Sequence, residues 1–174
     1  MKKITAFVTM ILSISIVVFA ASKSYGNKDV IAKLDGKPIT KEVLKKYVKE
    51  LKLPKQYKRM LNSKEGLKKL TESYISREIL LDYAKKNNFK DSHFVKQHMM
   101  SENQNEDAVM ITAVLSKEVN EKITVLPEEI DARLKETNST DRKNAYFEIM
   151  SLKRQKKFNE FISKLKKEHK IEYY

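Results

Sequence analysis

Val30-Ile31-Ala32-Lys33-Leu34-Asp35-Gly36-Lys37-Pro38-Ile39-Thr40 sets Val30, Ala32 and Leu34 against Ile31 and Lys33. That is the period of two that belongs to a β-strand. Asp35-Gly36 is a turn pair, and Lys37-Pro38-Ile39 leaves it extended. The same alternation returns only in the last five residues, Lys170-Ile171-Glu172-Tyr173-Tyr174. A five-residue strand has no stability by itself, so the two are expected to pair with each other and close the domain. With three Gly and three Pro in 174 residues, the chain between them lacks the turns of a many-stranded sheet. The expected fold class is mainly α, closed by a small pairing of the N-terminal and C-terminal β-strands.

The helices follow from caps and stripes. Thr40 is a cap with Glu42 in the first turn, and the helix after it places Val43, Leu44, Tyr47, Val48 and Leu51 on one face. Pro54 ends it and opens a short helix carrying Tyr57, Met60 and Leu61. Ser63 caps a helix predicted over 64–88, in which Leu67, Leu70, Tyr74, Leu81 and Ala84, flanked by Ile75, Ile79 and Leu80, make a broad apolar face. This is the expected central helix. Phe94, Val95, Met99 and Met100 form a short apolar segment before the polar stretch 101–107. There, Ser101 with Gln104 fits a capping box, and one unbroken helix fits equally well. Ala108, Ile111, Leu115 and Val119 carry the next stripe. Pro127 with Glu128 and Glu129 starts another short helix. Asp141 caps the last one, with Phe147, Met150, Phe158, Phe161 and Leu165 spaced for one face.

The first 26 residues read as a secretory signal rather than as fold. Lys2 and Lys3 precede the apolar run 4–21, and Ser24-Tyr25-Gly26 places small residues as a cleavage site requires. An anchor helix kept in the membrane is the other reading of that run. Cleavage leaves residues 27–174 as one domain and +10 of the formal +13 charge, because three lysines and no acids lie in the removed part. The absence of cysteine excludes a lipid-anchored thiol, a disulfide staple and thiol chemistry. The basic balance favours acidic partners, and export makes nucleic acid the least suitable of them. The expected location is the periplasm.

No phosphate loop, nucleophile elbow or metal motif occurs, so no catalytic residue, metal or cofactor is assigned and an enzyme is not expected. His93, His98 and His169 read as surface residues, and Lys164-Leu165-Lys166-Lys167 as a solvated helix face. Methionine suits surfaces that fit varied apolar partners. Met99 and Met100 are adjacent on a helix, about 100° apart, so both can hardly be buried. Those two, with Met60 and Phe94 as neighbours, are the expected client-binding residues.

Taken in order, these signals resemble the extracytoplasmic chaperones of the SurA/PrsA type. Val30 to Thr40 is similar to that family's "VVAKVNGEPIT" opening. Glu121-Lys122-Ile123-Thr124-Val125 with Pro127-Glu128-Glu129-Ile130 is similar to its "kITVtdeEI" segment, although Leu126 stands where a polar cap is usual. The run from Phe161 to Lys167, followed by Lys170-Ile171-Glu172, resembles the closing helix and strand. The family inserts parvulin-type isomerase domains after the second motif. Here only residues 137–141 separate the two helices, too few for a domain, so isomerase activity is not carried over. The resemblance implies an ATP-independent holdase for unfolded exported or outer-membrane polypeptides. The alternative is a helical adaptor that docks on one dedicated partner or on an anionic membrane surface.

Overall fold

Val30–Leu34 (β1) and Lys37–Thr40 (β2) form an antiparallel hairpin, and the C-terminal strand Ile171–Tyr173 (β3) joins the other edge of β1, giving the order β2-β1-β3. The computed structural model describes residues 30–99 and 105–174; the signal segment 1–26, Met100 and the Ser101 cap lie outside them. Among the described residues the rest is helical, with seven α-helices: α1 Lys41–Glu50, α2 Lys55–Met60, α3 Lys64–Lys86, α4 His93–Met99, α5 Glu106–Glu118, α6 Pro127–Thr137 and α7 Arg142–Lys166. The fold is mainly α with one small antiparallel sheet, and the terminal strands pair as their alternation predicts.

The third strand was not anticipated. Asp35 and Gly36 both take positive φ, 49° and 79°, and so make a two-residue hairpin turn that brings Lys37 opposite Leu34. Pro38 is tolerated because β2 is an edge strand. The alternation of β1 is kept: Val30, Ala32 and Leu34 face the core, with Ala32 fully buried.

The turn also carries the main tie between the chain ends. Asp35 N donates to Lys170 O at 2.8 Å, and Asp35 Oδ1 accepts from Lys170 N at 2.8 Å. Asp35 Oδ2 lies 2.7 Å from His169 Nδ1, whose Nε2 is 3.7 Å from Asp82 on α3. The His169 side chain is only 8% exposed, which corrects the surface reading of this residue. A histidine among lysines looks solvated in sequence, and only the fold brings two aspartates to it. These hydrogen bonds, His169 first and the Lys170 amide second, hold the Asp35 carboxyl below its usual pKa.

Caps place the helices largely as read. Thr40 accepts from Val43 N, Ser63 from Gly66 N and Asp141 from Asn144 N. Pro54 precedes α2 as its cap and does not enter it, and α5 is capped by Asn105, which accepts from Ala108 N. α3 ends at Lys86, two residues earlier than predicted, and is central: it packs against α1, α2, α5, α7 and β1. Gly66 is required on it, because a Cβ there would stand 2.2 Å from the carbonyl oxygen of Met60 on α2. One core, centred on Ile39, Leu44, Val48, Leu70, Ile75, Ile79 and Val114, draws on the sheet and on these helices.

Two apolar stripes are only partly core: of the first only Val119, just past α5, is buried, and of the second only Leu165. On α5 the buried side chains are Val109, Met110, Ala113 and Val114, whereas Ala108 is exposed and Ile111 and Leu115 are half-buried. On α7 the buried residues are Ala145, Ile162 and Leu165; Phe158 and Phe161 are half-buried, and Phe147 is 56% exposed. Helical spacing defines a stripe but not whether a neighbour covers it.

Deleting Lys170 to Tyr174 is expected to lower the melting temperature by roughly 5–10 °C, as two or three kcal/mol would for a domain of this size. Circular dichroism against temperature checks it, and an unchanged midpoint would contradict the role given to β3. The depressed carboxyl of Asp35 stabilises the fold above the ordinary carboxylate range, and that contribution is lost as pH falls through it. Asp35→Asn should therefore melt below the wild type at neutral pH, with the gap narrowing on acidification.

Candidate functional site

α1, α3, α5 and α7 leave an open groove of about 480 Å³ between them. Tyr47 comes from α1 and Leu51 from the residue that caps its end, Leu80 from α3, Ala108, Ile111 and Leu115 from α5, and Phe158 from α7. Of these α5 residues Ile111 and Leu115 pack partly against the core and turn their remaining surface to the groove, beside the exposed Ala108. Ser73 and Ser76 on α3 also line the groove, and Ser73 is engaged by Tyr47 Oη at 2.9 Å. The two ionic side chains of the lining are neutralised in place. Arg77 binds Glu78 at 2.8 Å and Asp107 at 3.0 Å. Glu72 receives Lys166 Nζ at 2.6 Å and the Tyr173 hydroxyl at 2.5 Å. Partial burial works against the Glu72 charge, yet these two donors hold its pKa below the usual carboxylate value. The Tyr173 phenol is pushed well above its usual pKa by burial and by the facing carboxylate. Lys166 is thus a tie between α7 and α3, where the lysine run had been read as a solvated face.

Beyond the groove, α7 carries a second exposed aromatic side chain. Phe147 precedes Phe158 by three helical turns on nearly the same face, about 16 Å away. The N-terminal half of α7 is paired with α6, which packs chiefly on α7 and buries none of its own side chains. The pair is held by polar ties: Arg133 to Glu148 at 2.8 Å, Lys153 to Glu129 at 2.6 Å, and Arg142 to Asp131. Glu129 also accepts from Leu126 N at 2.8 Å, so its role is to hold the start of α6, as the sequence reading had it. The result is a two-helix arm with an uncovered aromatic face, Phe147 at 56% and Tyr146 at 36% exposure. Lys143 and Arg154 lie within about 60° of that face on a helical projection. Neither makes an ion pair among the described residues.

Three of the four residues expected to bind clients lie elsewhere, and Met100 is outside the described residues. Met60 closes α2, while Phe94 and Met99 sit on α4. All three are half-buried and pack against the core, and Phe94 stacks on His98 with ring centroids 4.0 Å apart. None of them lines the groove. Met110 is core, at 2% exposure. The signal that finds the groove is present in the sequence as the Ala108, Ile111, Leu115 stripe and the Phe147-to-Phe158 spacing, both of which look like core stripes until the packing is known. A second, larger concavity of about 1240 Å³ lies at the end of the sheet, between β3 and the start of α3. Among the described residues no group of His, Cys, Asp and Glu is arranged to hold a metal ion.

Met99→Ser should cost about 1–3 kcal/mol of stability, because it removes a side chain packed on the core. Phe147→Ser should stay within about 0.5 kcal/mol. Urea denaturation of the two variants checks both. No protein-family model matches this chain and no curated protein matches it, so its function is argued from the groove and the arm.

Proposed function

We propose that the chain is an ATP-independent holdase of the cell envelope, which binds unfolded segments of exported or outer-membrane polypeptides in the groove and along the α6–α7 arm. The observation that carries this reading is the open, largely apolar groove at Phe158, with Phe147 56% exposed three turns further along the same side of α7. Apolar anchors spaced along an open surface suit extended segments of varied sequence better than one shaped ligand. Burying it contributes about 25 cal/mol per Å² of apolar area, which needs no nucleotide. Lys143 and Arg154 beside it add an attraction for acidic flanks that salt screens. The signal-like N-terminus and the SurA/PrsA-like motifs support the same reading, and the short α6–α7 connection supports a holdase without isomerase activity.

The test is suppression of aggregation of an unfolded barrel protein, without ATP. The wild type should suppress it. Phe147→Ser should weaken binding several-fold with no change in melting temperature, and half-molar salt should weaken it only in part. Met100→Ser, assayed in parallel, measures the methionine contribution expected from the sequence. Binding that vanishes in salt and ignores Phe147→Ser would put the basic adaptor in its place.

A further inference from the structure

Lys143 and Phe147 are four residues apart on α7, and so are Arg154 and Phe158. The second pair follows the first by three helical turns, so the four side chains fall on one stripe about 60° wide. From the start of the helix the stripe runs cation, aromatic, cation, aromatic, with rises of about 6, 10.5 and 6 Å between them. Phe158 lines the groove, and the other three are exposed.

Charge is distributed differently on the rest of the helix. Arg142, Lys153, Lys157 and Lys166 are paired, with Asp131, Glu129, Glu160 and Glu72. Lys143 and Arg154 make no ion pair among the described residues. Lys156 and Lys164 make none either, but they project about 90° or more from the centre of the stripe. The two acids of α7, Glu148 and Glu160, lie about 110° or more from it, and Glu148 is taken by Arg133. A solvated helix face usually interleaves both signs of charge. This stripe carries one sign only, and sets it beside each aromatic ring.

We infer that this stripe selects extended polypeptide segments in which apolar and acidic side chains alternate along one side of the chain. The apolar side chains meet Phe158 and Phe147, and the acids meet Arg154 and Lys143. Side chains two residues apart lie on one side of an extended chain, about 6.6 Å from each other. Four such side chains span about 20 Å, against about 22.5 Å for the stripe, a difference within the reach of lysine and arginine stems. The partner is taken as extended because the holdase reading, on which this rests, makes it unfolded. A second copy of the chain is the wrong occupant, because it would bring the same cations to the face.

The experiment is fluorescence anisotropy of the purified protein with the labelled peptide Gly-Ser-Phe-Ser-Asp-Ser-Phe-Ser-Asp-Ser-Gly. The same peptide with lysine for both aspartates should bind about tenfold or more weakly. The permuted peptide Gly-Ser-Asp-Ser-Phe-Ser-Phe-Ser-Asp-Ser-Gly, of identical composition, should bind several-fold more weakly. Lys143→Ser/Arg154→Ser should take the acidic and basic peptides alike, and Phe147→Ser should take the first and permuted peptides alike. All these side chains are exposed, so both variants should keep the wild-type melting temperature. A wild type that suppresses aggregation yet binds the acidic and basic peptides equally overturns the selectivity and leaves the holdase standing. A wild type that prefers the acidic peptide without suppressing aggregation supports the stripe and removes the holdase. Tighter binding of a helical peptide with its phenylalanines eleven residues apart would put a folded helical partner on the stripe and overturn the assignment. Dimers of the protein that Phe147→Ser abolishes would do the same in favour of a second copy.

Discussion

β1 lies in the middle of its sheet, and its inward face is sealed. Val30, Ala32 and Leu34 are in the core, so the strand cannot turn its backbone to water, and its amides and carbonyls must be paired along both edges. One edge is met locally, by the hairpin through Asp35 and Gly36. The other is met only by the last residues of the chain. Asp35 joins the two solutions, because the carboxylate that stabilises the turn also receives the Lys170 amide and His169. The chain therefore closes on itself through a turn whose positive φ values need glycine and a short polar residue.

Closure of this kind fixes one end of α7 and leaves the other unsupported. β3 holds the C-terminal end against the sheet, and Lys166 pins it to Glu72 on α3. From Phe158 onward the helix lies over the core. Before Phe158 its sole substantial neighbour is α6, which brings polar ties and no buried side chain of its own. An aromatic face that would be covered in a shorter helix is then carried away from the body. The same arrangement leaves the Ala108, Ile111 and Leu115 side of α5 open, since α3 and α4 take its Val109, Met110, Ala113 and Val114 side. Exposed apolar surface of this extent has a cost for a soluble domain, and it is the kind of surface that marks an interaction site. Basic residues beside it favour solubility and give its attraction for partners a sign.

Glu72 stands between the two concave surfaces and contributes to the lining of both. Its bonds to Lys166 and Tyr173 neutralise it where it borders the groove. One partly exposed ion network thus borders both surfaces.

The local steps of this structure were legible in the residues. Thr40, Ser63 and Asp141 cap because a hydroxyl or carboxylate can reach its own backbone three residues on. α3 is central because its apolar positions cover more than one face. The terminal strands pair because nothing else in the chain alternates. Each of these depends on neighbours in sequence, or on the lack of any other partner. What the sequence left open depends on which side of an element is covered. It read Ala108, Ile111 and Leu115 as the stripe of α5, whereas packing buries Val109, Met110, Ala113 and Val114 instead. It placed Phe147 with Leu165 and could not say that only the latter had a neighbour. It set His169 among lysines, while the aspartates beside it come from positions far off in the chain. The candidate site belongs wholly to this second class. A binding groove and a core stripe are the same pattern of residues, and only the tertiary structure, by covering one stripe and leaving the next in water, makes them different things.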